Sequence, residues 1–328
     1  MKVLVIRFSS IGDIVLTTPV LRVLKNAGAT VHYLTKRTYE SIVASNPRVD
    51  RCFVIDEKVK EVLPALKAEQ YDYVIDLHHN LRSRQVKSGL SATAFSVNKI
   101  NWEKWLMVNL KMDRLPSVHI VDRYLETLQP LGLEKDGDGL EFYIPEEDEV
   151  EVAHLLTHNV LAAQQEIPRY VAFAIGAAHY TKRIPEDKVI AICQGIQMPV
   201  LLLGGPAEAE VGDRIAGQAG GQVINTCGLF NLNQSASIIR QAYRVITPDT
   251  GMMHIAAAFQ KKIISVWGNT IPAFGMYPYD PQGLGLNMTI EVKELPCRPC
   301  SKIGFEKCPK GHFNCMQQIE EAAIWGAL

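Results

Sequence analysis

Residues 247–257 read Thr247-Pro248-Asp249-Thr250-Gly251-Met252-Met253-His254-Ile255-Ala256-Ala257, a short polar group set between apolar runs. An acid, a hydroxyl, a glycine and a histidine at this spacing suit the start of a helix. Pro248 ends a strand, Asp249 or Thr250 caps the helix, and Gly251 lets a ligand come close to the backbone. His254 then stands about one turn in, on the N-terminal side. A helix N-terminus offers free N–H groups and partial positive charge, so the arrangement suits an anion such as a phosphorylated ligand. The same residues also satisfy a plainer reading, an ordinary capped helix with a solvated histidine.

A second candidate loop, Ser9-Ser10-Ile11-Gly12-Asp13, follows the opening apolar run Lys2–Ile6. Its single glycine does not make the Gly-x-Gly-x-x-Gly of a dinucleotide site, and it lacks the Gly-Lys-Ser/Thr ending of a phosphate-binding loop. What it offers is a carboxylate. Asp13 either acts as a general base toward a hydroxyl nucleophile or serves as a helix N-cap.

Both loops depend on the elements that carry them. In the first half, strands are expected at Val3–Ile6, Val31–Leu34, Arg51–Ile55 and Tyr73–Leu77. Helices are expected at Ile14–Ala27, Thr38–Ser45 and Val59–Glu69. After a turn-rich Asp136-Gly137-Asp138-Gly139, Pro145–Glu149 looks like the start of a charged helix leading out of the first domain. The rhythm restarts with strands at Tyr170–Ile175, Val200–Leu203, Gln222–Asn225, Val245–Thr247 and Ile263–Trp267. The intervening helices are Glu186–Gln194, Glu208–Ala219, Asn231–Gln241 and Met252–Phe259, and Met316–Leu328 reads as a last helix. Such alternation predicts α/β architecture with parallel sheets. Two Rossmann-like, doubly wound domains are expected, at residues 1–155 and 165–328, joined near residues 150–168 with a cleft between them. Open α/β sheets bind ligands at the carboxyl ends of their strands, where both loops lie.

The 328 residues are 47% hydrophobic and 21% charged, with a net charge of −1. That is enough for two cores, and it argues against a general nucleic-acid binder. The N-terminal strand lacks the pattern of a signal peptide, and no apolar run reaches the length of a membrane span. Seven cysteines, three of them isolated, point to a reducing compartment, so a cytoplasmic location is expected.

Two motifs can then be compared with a known family. Lys2–Asp13 with Thr18-Pro19-Val20-Leu21, and Asp249–Ala257, resemble the signatures of family 9 glycosyltransferases, the ADP-heptose:lipopolysaccharide heptosyltransferases. Tyr71–Ser83 and Leu201–Glu208 resemble two further segments of that family, so the likeness covers most of the chain in the right order. The resemblance implies a GT-B architecture with the acceptor on the N-terminal domain and the nucleotide sugar on the C-terminal one. It also implies an inverting, metal-independent transfer of heptose from ADP-heptose to a lipid A–Kdo type lipopolysaccharide core.

In that frame Asp13 takes the acceptor proton. The diphosphate leaving group must be stabilised as the bond breaks. The helix opened by Thr250 and Gly251, with Asp249 and His254, supplies part of this. Lys182 and Arg183 add charge and Thr181 a hydroxyl, unless they form a solvated loop; a lysine that the family carries near this place favours Lys182. Glu208, after the Gly204-Gly205 turn, is set to accept ribose hydroxyls or is an ordinary first-turn glutamate. Ser10, Gly12, Asn80 and Arg82, within the family segments, are expected to contact the acceptor. No cofactor is required in this scheme, and an obvious Asp-x-Asp metal signature is lacking outside the turn-rich Asp136-Gly137-Asp138.

Residues 82–114 carry a net +5 and include Trp102 and Trp105. The segment either faces anionic lipid or glycolipid at the inner membrane surface, or packs its tryptophans in the core. Cys297, Cys300, Cys308 and Cys315, with His312 nearby, either hold a structural zinc or remain thiols or a local disulfide. A monomer with no nucleic-acid partner is expected. Two other readings stay open: a GT-B enzyme using another nucleotide sugar, and a non-catalytic nucleotide- or glycan-binding relative. A nicotinamide oxidoreductase is disfavoured by the missing glycine fingerprint.

Overall fold

The computed structural model describes residues 1–159 and 168–328. The chain forms two compact units. One comprises Met1–Asn101 with Pro116–Tyr143, the other Trp102–Leu115 with Ile144–Leu328.

The first unit is a five-stranded sheet of β1 (Lys2–Ile6), β2 (Thr30–Lys36), β3 (Arg51–Ile55), β4 (Tyr73–Asp76) and β5 (Thr93–Ser96). The order is β3-β2-β1-β4-β5 and every pairing is parallel. Val3, Leu4, Val5 and Ile6 are all fully buried. An unbroken apolar run is what a parallel strand covered on both faces requires. Leu4, Ile6 and Phe8 pack with Leu34, Phe53, Ile55, Val74 and Val86 in one core. Buried Arg22 grips Asp136 with two donors, Nε at 2.6 Å and Nη2 at 3.0 Å, which ties the returning segment to the helix Thr18–Asn26.

The second unit is a six-stranded sheet of β6 (Val171–Ala174), β7 (Val200–Leu203), β8 (Val223–Asn225), β9 (Arg244–Pro248), β10 (Ile263–Trp267) and β11 (Asn287–Glu291). Its order is β11-β10-β9-β6-β7-β8, again all parallel. Its core joins Phe173, Leu202, Ile246, Ile264 and Val266 to Met316, Ile319 and Ile324 of the C-terminal segment.

In each sheet the winding direction reverses beside the first strand, between β1 and β4 in one and between β6 and β9 in the other. Loops leaving the carboxyl ends of two such strands diverge to opposite faces and leave room for a ligand. The four loops concerned are 7–13, 77–80, 175–183 and 249–250.

Several elements differ from the sequence pattern. The helix expected at Ile14–Ala27 is two, Ile11–Val15 and Thr18–Asn26. The Thr17 and Thr18 hydroxyls bond back to the Ile14 and Val15 carbonyls, and Pro19 has no N–H to continue the ladder. Thr38–Ser45 and Val59–Glu69 each open on a 3-10 turn, before the helices Glu40–Ala44 and Leu63–Ala68. Met316–Leu328 divides into Asn314–Gln317 and Glu321–Trp325.

Pro145–Glu149 is a single 3-10 turn at Glu146–Asp148. Asp148 accepts from the Asn231 and Asn233 amides at 2.7 and 2.8 Å, and Glu149 from Ser237 and Arg240, both at 2.7 Å. These bonds to the helix Leu232–Gln241 start the second unit at Ile144, earlier than the expected boundary at 155. Of the expected junction 150–168, residues 160–167 lie outside the described residues.

Candidate active site

In the first unit Arg7 leaves β1 directly and is buried. Its Nε donates to the Ser9 carbonyl at 2.8 Å and its Nη1 to the Leu77 carbonyl, beyond β4, at 2.5 Å. The guanidinium is thereby fixed across the reversal point. Its Nη2 lies 2.5 Å from Asp13 Oδ1. The other Asp13 oxygen accepts from the Ser10 amide at 3.0 Å and the Ser10 hydroxyl at 2.8 Å. Ser10 is the N-cap of the helix Ile11–Val15, and Asp13 is its third residue, not its cap. Gly12, within the same turn, is buried.

Burial alone would raise the Asp13 pKa, but Arg7 and Ser10 outweigh it and hold the carboxyl at about 2. Asp13 is therefore an anion throughout the neutral range. Arg7 was not expected from the sequence as a site residue; its signal was a charged residue directly after a fully apolar strand.

At the end of β4 the wholly buried Asp76 organises the neighbouring loop. It accepts from the His78 and His79 amides at 3.1 and 2.7 Å, from Ser83 Oγ at 2.8 Å, and pairs with Lys87 at 2.8 Å. Asn80 caps the helix Leu81–Gly89, its Oδ1 accepting from the Ser83 amide at 2.9 Å. The Arg82 guanidinium stands 5.9 Å from the centre of the Phe8 ring. Ser10, Gly12 and Asp13 are thus on the β1 loop, and Asn80 and Arg82 on the loop and helix after β4.

In the second unit Lys182 Nζ lies 2.6 Å from Asp249 Oδ2, which also accepts from Thr270 Oγ1 at 2.8 Å. Lys182 follows β6 and Asp249 follows β9, so this pair also spans the point of reversal. Thr250 occupies the N-cap position of the helix Gly251–Ala258, but its hydroxyl pairs with Thr247 at 3.1 Å instead of with the helix amides. Gly251 is the first helical residue. His254 is buried, which overturns the solvated-histidine alternative.

Arg183 donates to the Ala177 carbonyl at 2.9 Å and stands 3.3 Å from Glu208. The other Glu208 oxygen takes the Gly205 amide at 2.9 Å. Gly204 is needed at its position: a Cβ there would stand 2.8 Å from Glu208 Cβ and 2.9 Å from Cys227 Sγ.

Two expectations are corrected. Thr181 does not turn its hydroxyl toward an open site. It is buried, and the hydroxyl accepts from the Phe305 amide at 2.8 Å and lies 3.2 Å from the Phe305 carbonyl, which pins the cysteine-rich tail to the loop. The zinc site at Cys297, Cys300, Cys308 and Cys315 does not form. Cys297 Sγ is 3.9 Å from His312 Nε2, yet among the described residues no three His, Cys, Asp or Glu side chains gather closely enough to hold a metal ion. All seven cysteines are free thiols.

The tryptophan segment has no buried residue along Asn101–Leu110, so a core-packed Trp102 and Trp105 is also overturned. The two indoles stack face to face at 5.3 Å. Among the described residues no helix is long and apolar enough to cross a membrane.

A family model, glycosyltransferase family 9 (heptosyltransferase), matches residues 59–306. The chain belongs to this family. It is a glycosyltransferase of the GT-B fold class, built from two parallel-sheet α/β domains. Among its relatives, lipopolysaccharide heptosyltransferase 1 of Campylobacter coli is 22% identical over 293 residues, covering 82% of this chain and 84% of that protein. The crystal structure of a family 9 glycosyl transferase from Veillonella parvula superposes with a TM-score of 0.71 at 24% identity, covering 88% and 85% of the two chains. The E. coli heptosyltransferase WaaC with ADP superposes at 0.67 with 20% identity, covering 97% and 98%.

Proposed function

We propose that this glycosyltransferase moves a heptose from ADP-heptose to a lipopolysaccharide core acceptor of the lipid A–Kdo type, with inversion at the anomeric carbon. The observation that carries the reading is the presence, at the reversal point of each sheet, of a carboxylate–cation pair suited to one half of that reaction. In the first unit Arg7 and Ser10 orient Asp13 and keep it ionised. Such a carboxylate is a weak base. It takes the proton late, once the attacking hydroxyl has begun to bond to the anomeric carbon and has become acidic.

In the second unit Lys182, Arg183 and the amides at the start of Gly251–Ala258 oppose the charge that develops on the departing diphosphate. Glu208 and Asp249 are carboxylates able to accept from ribose or heptose hydroxyls. Two of the proteins named above are heptosyltransferases, and one of these was crystallised with ADP, which favours adenine over other bases. Acceptor contacts fall to Ser10, Gly12, Asn80 and Arg82. The exposed pair Trp102 and Trp105, with exposed Leu110 and Met112 nearby, gives the protein a means of peripheral association with anionic lipid at the cytoplasmic face of the inner membrane.

The test combines binding with turnover. ADP should raise the melting temperature selectively over UDP and GDP. Asp13→Asn should lose turnover with ADP-heptose while keeping its affinity for ADP. Near-normal turnover in Asp13→Asn removes the base role, and preference for UDP or GDP redirects the donor.

A further inference from the structure

His78 lies in the loop after β4, directly across the reversal point from Arg7 and Phe8. Its ring meets the Phe8 ring edge-on, with centroids 5.1 Å apart and planes at 71°. Its backbone is fixed at both ends: the amide donates to Asp76 at 3.1 Å, and the carbonyl accepts from Lys99 Nζ at 2.9 Å. The imidazole is thus placed firmly, yet Nδ1 is buried with no hydrogen-bond partner. The residue as a whole is only partly buried, so the Nε2 edge is the one left open. An unfilled lone pair in a protein interior costs less than an orphaned N–H. The ring proton therefore belongs on Nε2, which makes that edge a donor.

The surroundings keep the ring neutral. Burial lowers its pKa first, then the charges of Arg7 and Lys99, against the weaker opposing pull of Asp13 and Asp76; the result is about 4. With its proton on Nε2 and Nδ1 buried, the ring offers no open lone pair to take the proton of an attacking hydroxyl. It can hold an acceptor oxygen. Arg82, whose guanidinium lies against the same buried Phe8 ring, supplies positive charge nearby.

We propose that His78 is an acceptor-binding residue whose Nε2–H donates to an anionic oxygen of the acceptor sugar, on the same side as Arg82 and Asp13. This rests on the reading of the first unit as the acceptor domain. It adds a contact that fixes the sugar without taking part in proton transfer.

The probe is de-O-acylated lipopolysaccharide core lacking heptose. Long-range proton–nitrogen NMR of the full-length protein should show His78 as the neutral Nε2–H tautomer, with no titration above about pH 5, and its Nε2 signal should move when the probe is added. His78→Ala should raise the acceptor KM roughly 10- to 100-fold and leave the ADP-heptose KM and the ADP Kd unmoved. His78→Gln, whose amide nitrogen reaches the Nε2 position, should restore most of the loss, and His78→Asn should not. An Nδ1–H tautomer, an imidazolium at neutral pH, or a His78 signal unmoved by the probe overturns the proposal whatever the turnover. So does an unchanged acceptor KM in His78→Ala, or equal loss for donor and acceptor. Absence of transfer by the wild-type protein instead counts against the proposed reaction, while the NMR arm still decides His78.

Discussion

At the reversal point of each sheet a carboxylate meets a cation, but the two pairs present opposite ends. In the first unit the Arg7 side chain is 9% exposed and that of Asp13 19%; in the second the Lys182 side chain is 18% exposed and that of Asp249 11%. In one the cation is the support and the carboxylate the working end. In the other the carboxylate, itself held by Thr270, is the support and the ammonium faces outward. On the proposed function, the same topology builds a base on one unit and an anion-binding site on the other. Arginine suits the supporting role because its planar fork bonds the Ser9 and Leu77 carbonyls while still pairing with Asp13. Lysine suits the other, as a compact point charge for phosphate.

The comparison can be broken most directly at Asp13. Asp13→Asn keeps the shape and removes the charge, and turnover should fall by about 10²- to 10⁴-fold, the range expected for general base catalysis, with ADP affinity unchanged. If ADP affinity falls alongside turnover, the division of labour between the pairs is wrong. At the second pair, Lys182→Gln should weaken ADP binding by roughly tenfold or more and leave acceptor binding intact, read by calorimetry with each ligand separately. Equal weakening of both ligands would erase the contrast.

Gly204→Ala sharpens it further. The new methyl must displace Glu208 or Cys227, and the expected cost is about 1–3 kcal/mol of stability, measured by denaturant unfolding, with a weaker response to ADP.

The acid dependence of stability separates the pairs by another route. The folded Asp13 pKa is depressed from 3.8 to about 2, so its contribution is present above the unfolded value and is lost as pH falls from about 4 toward 2. The stability gap between wild type and Asp13→Asn, about 2 kcal/mol from this term, should be constant from pH 7 to 5 and close over that window. A gap that closes near neutrality would show that Arg7 does not hold the carboxylate as described. The smallest effect belongs to Trp102→Ala. An exposed residue should change stability by less than about 0.5 kcal/mol, while salt-sensitive binding to anionic vesicles should fall. Unchanged vesicle binding removes the tryptophan pair from the membrane role.

Legibility in the sequence followed burial. β3, β7, β10 and the helix Glu186–Gln194 lie where the apolar pattern places them, because strands and helices in a two-faced parallel sheet carry nearly continuous or periodic apolar residues. β5 (TAFS) and β11 (NMTIE) were invisible, since both have exposed positions and no apolar run. Asp13, Lys182 and Asp249 could be singled out because polar residues in the loops that follow apolar strands stand near their carboxyl ends. Thr181 misled for the same reason: nothing local distinguishes a hydroxyl that faces a ligand from one that pins Phe305.

By itself, then, the order of apolar runs and polar loops determined two parallel α/β units, the two candidate loops at their strand ends and, through four ordered motifs, the family. Only the tertiary structure decided which side chains pair. Arg7 reaches Leu77, and Lys182 reaches Asp249, across strands adjacent in space but 70 and 67 positions apart in the chain. Such partners are set by the crossing of the sheet at its reversal point, where winding order and not local spacing brings residues together. The exposure of each partner, which distinguishes the two pairs, follows from packing that no short stretch of sequence encodes.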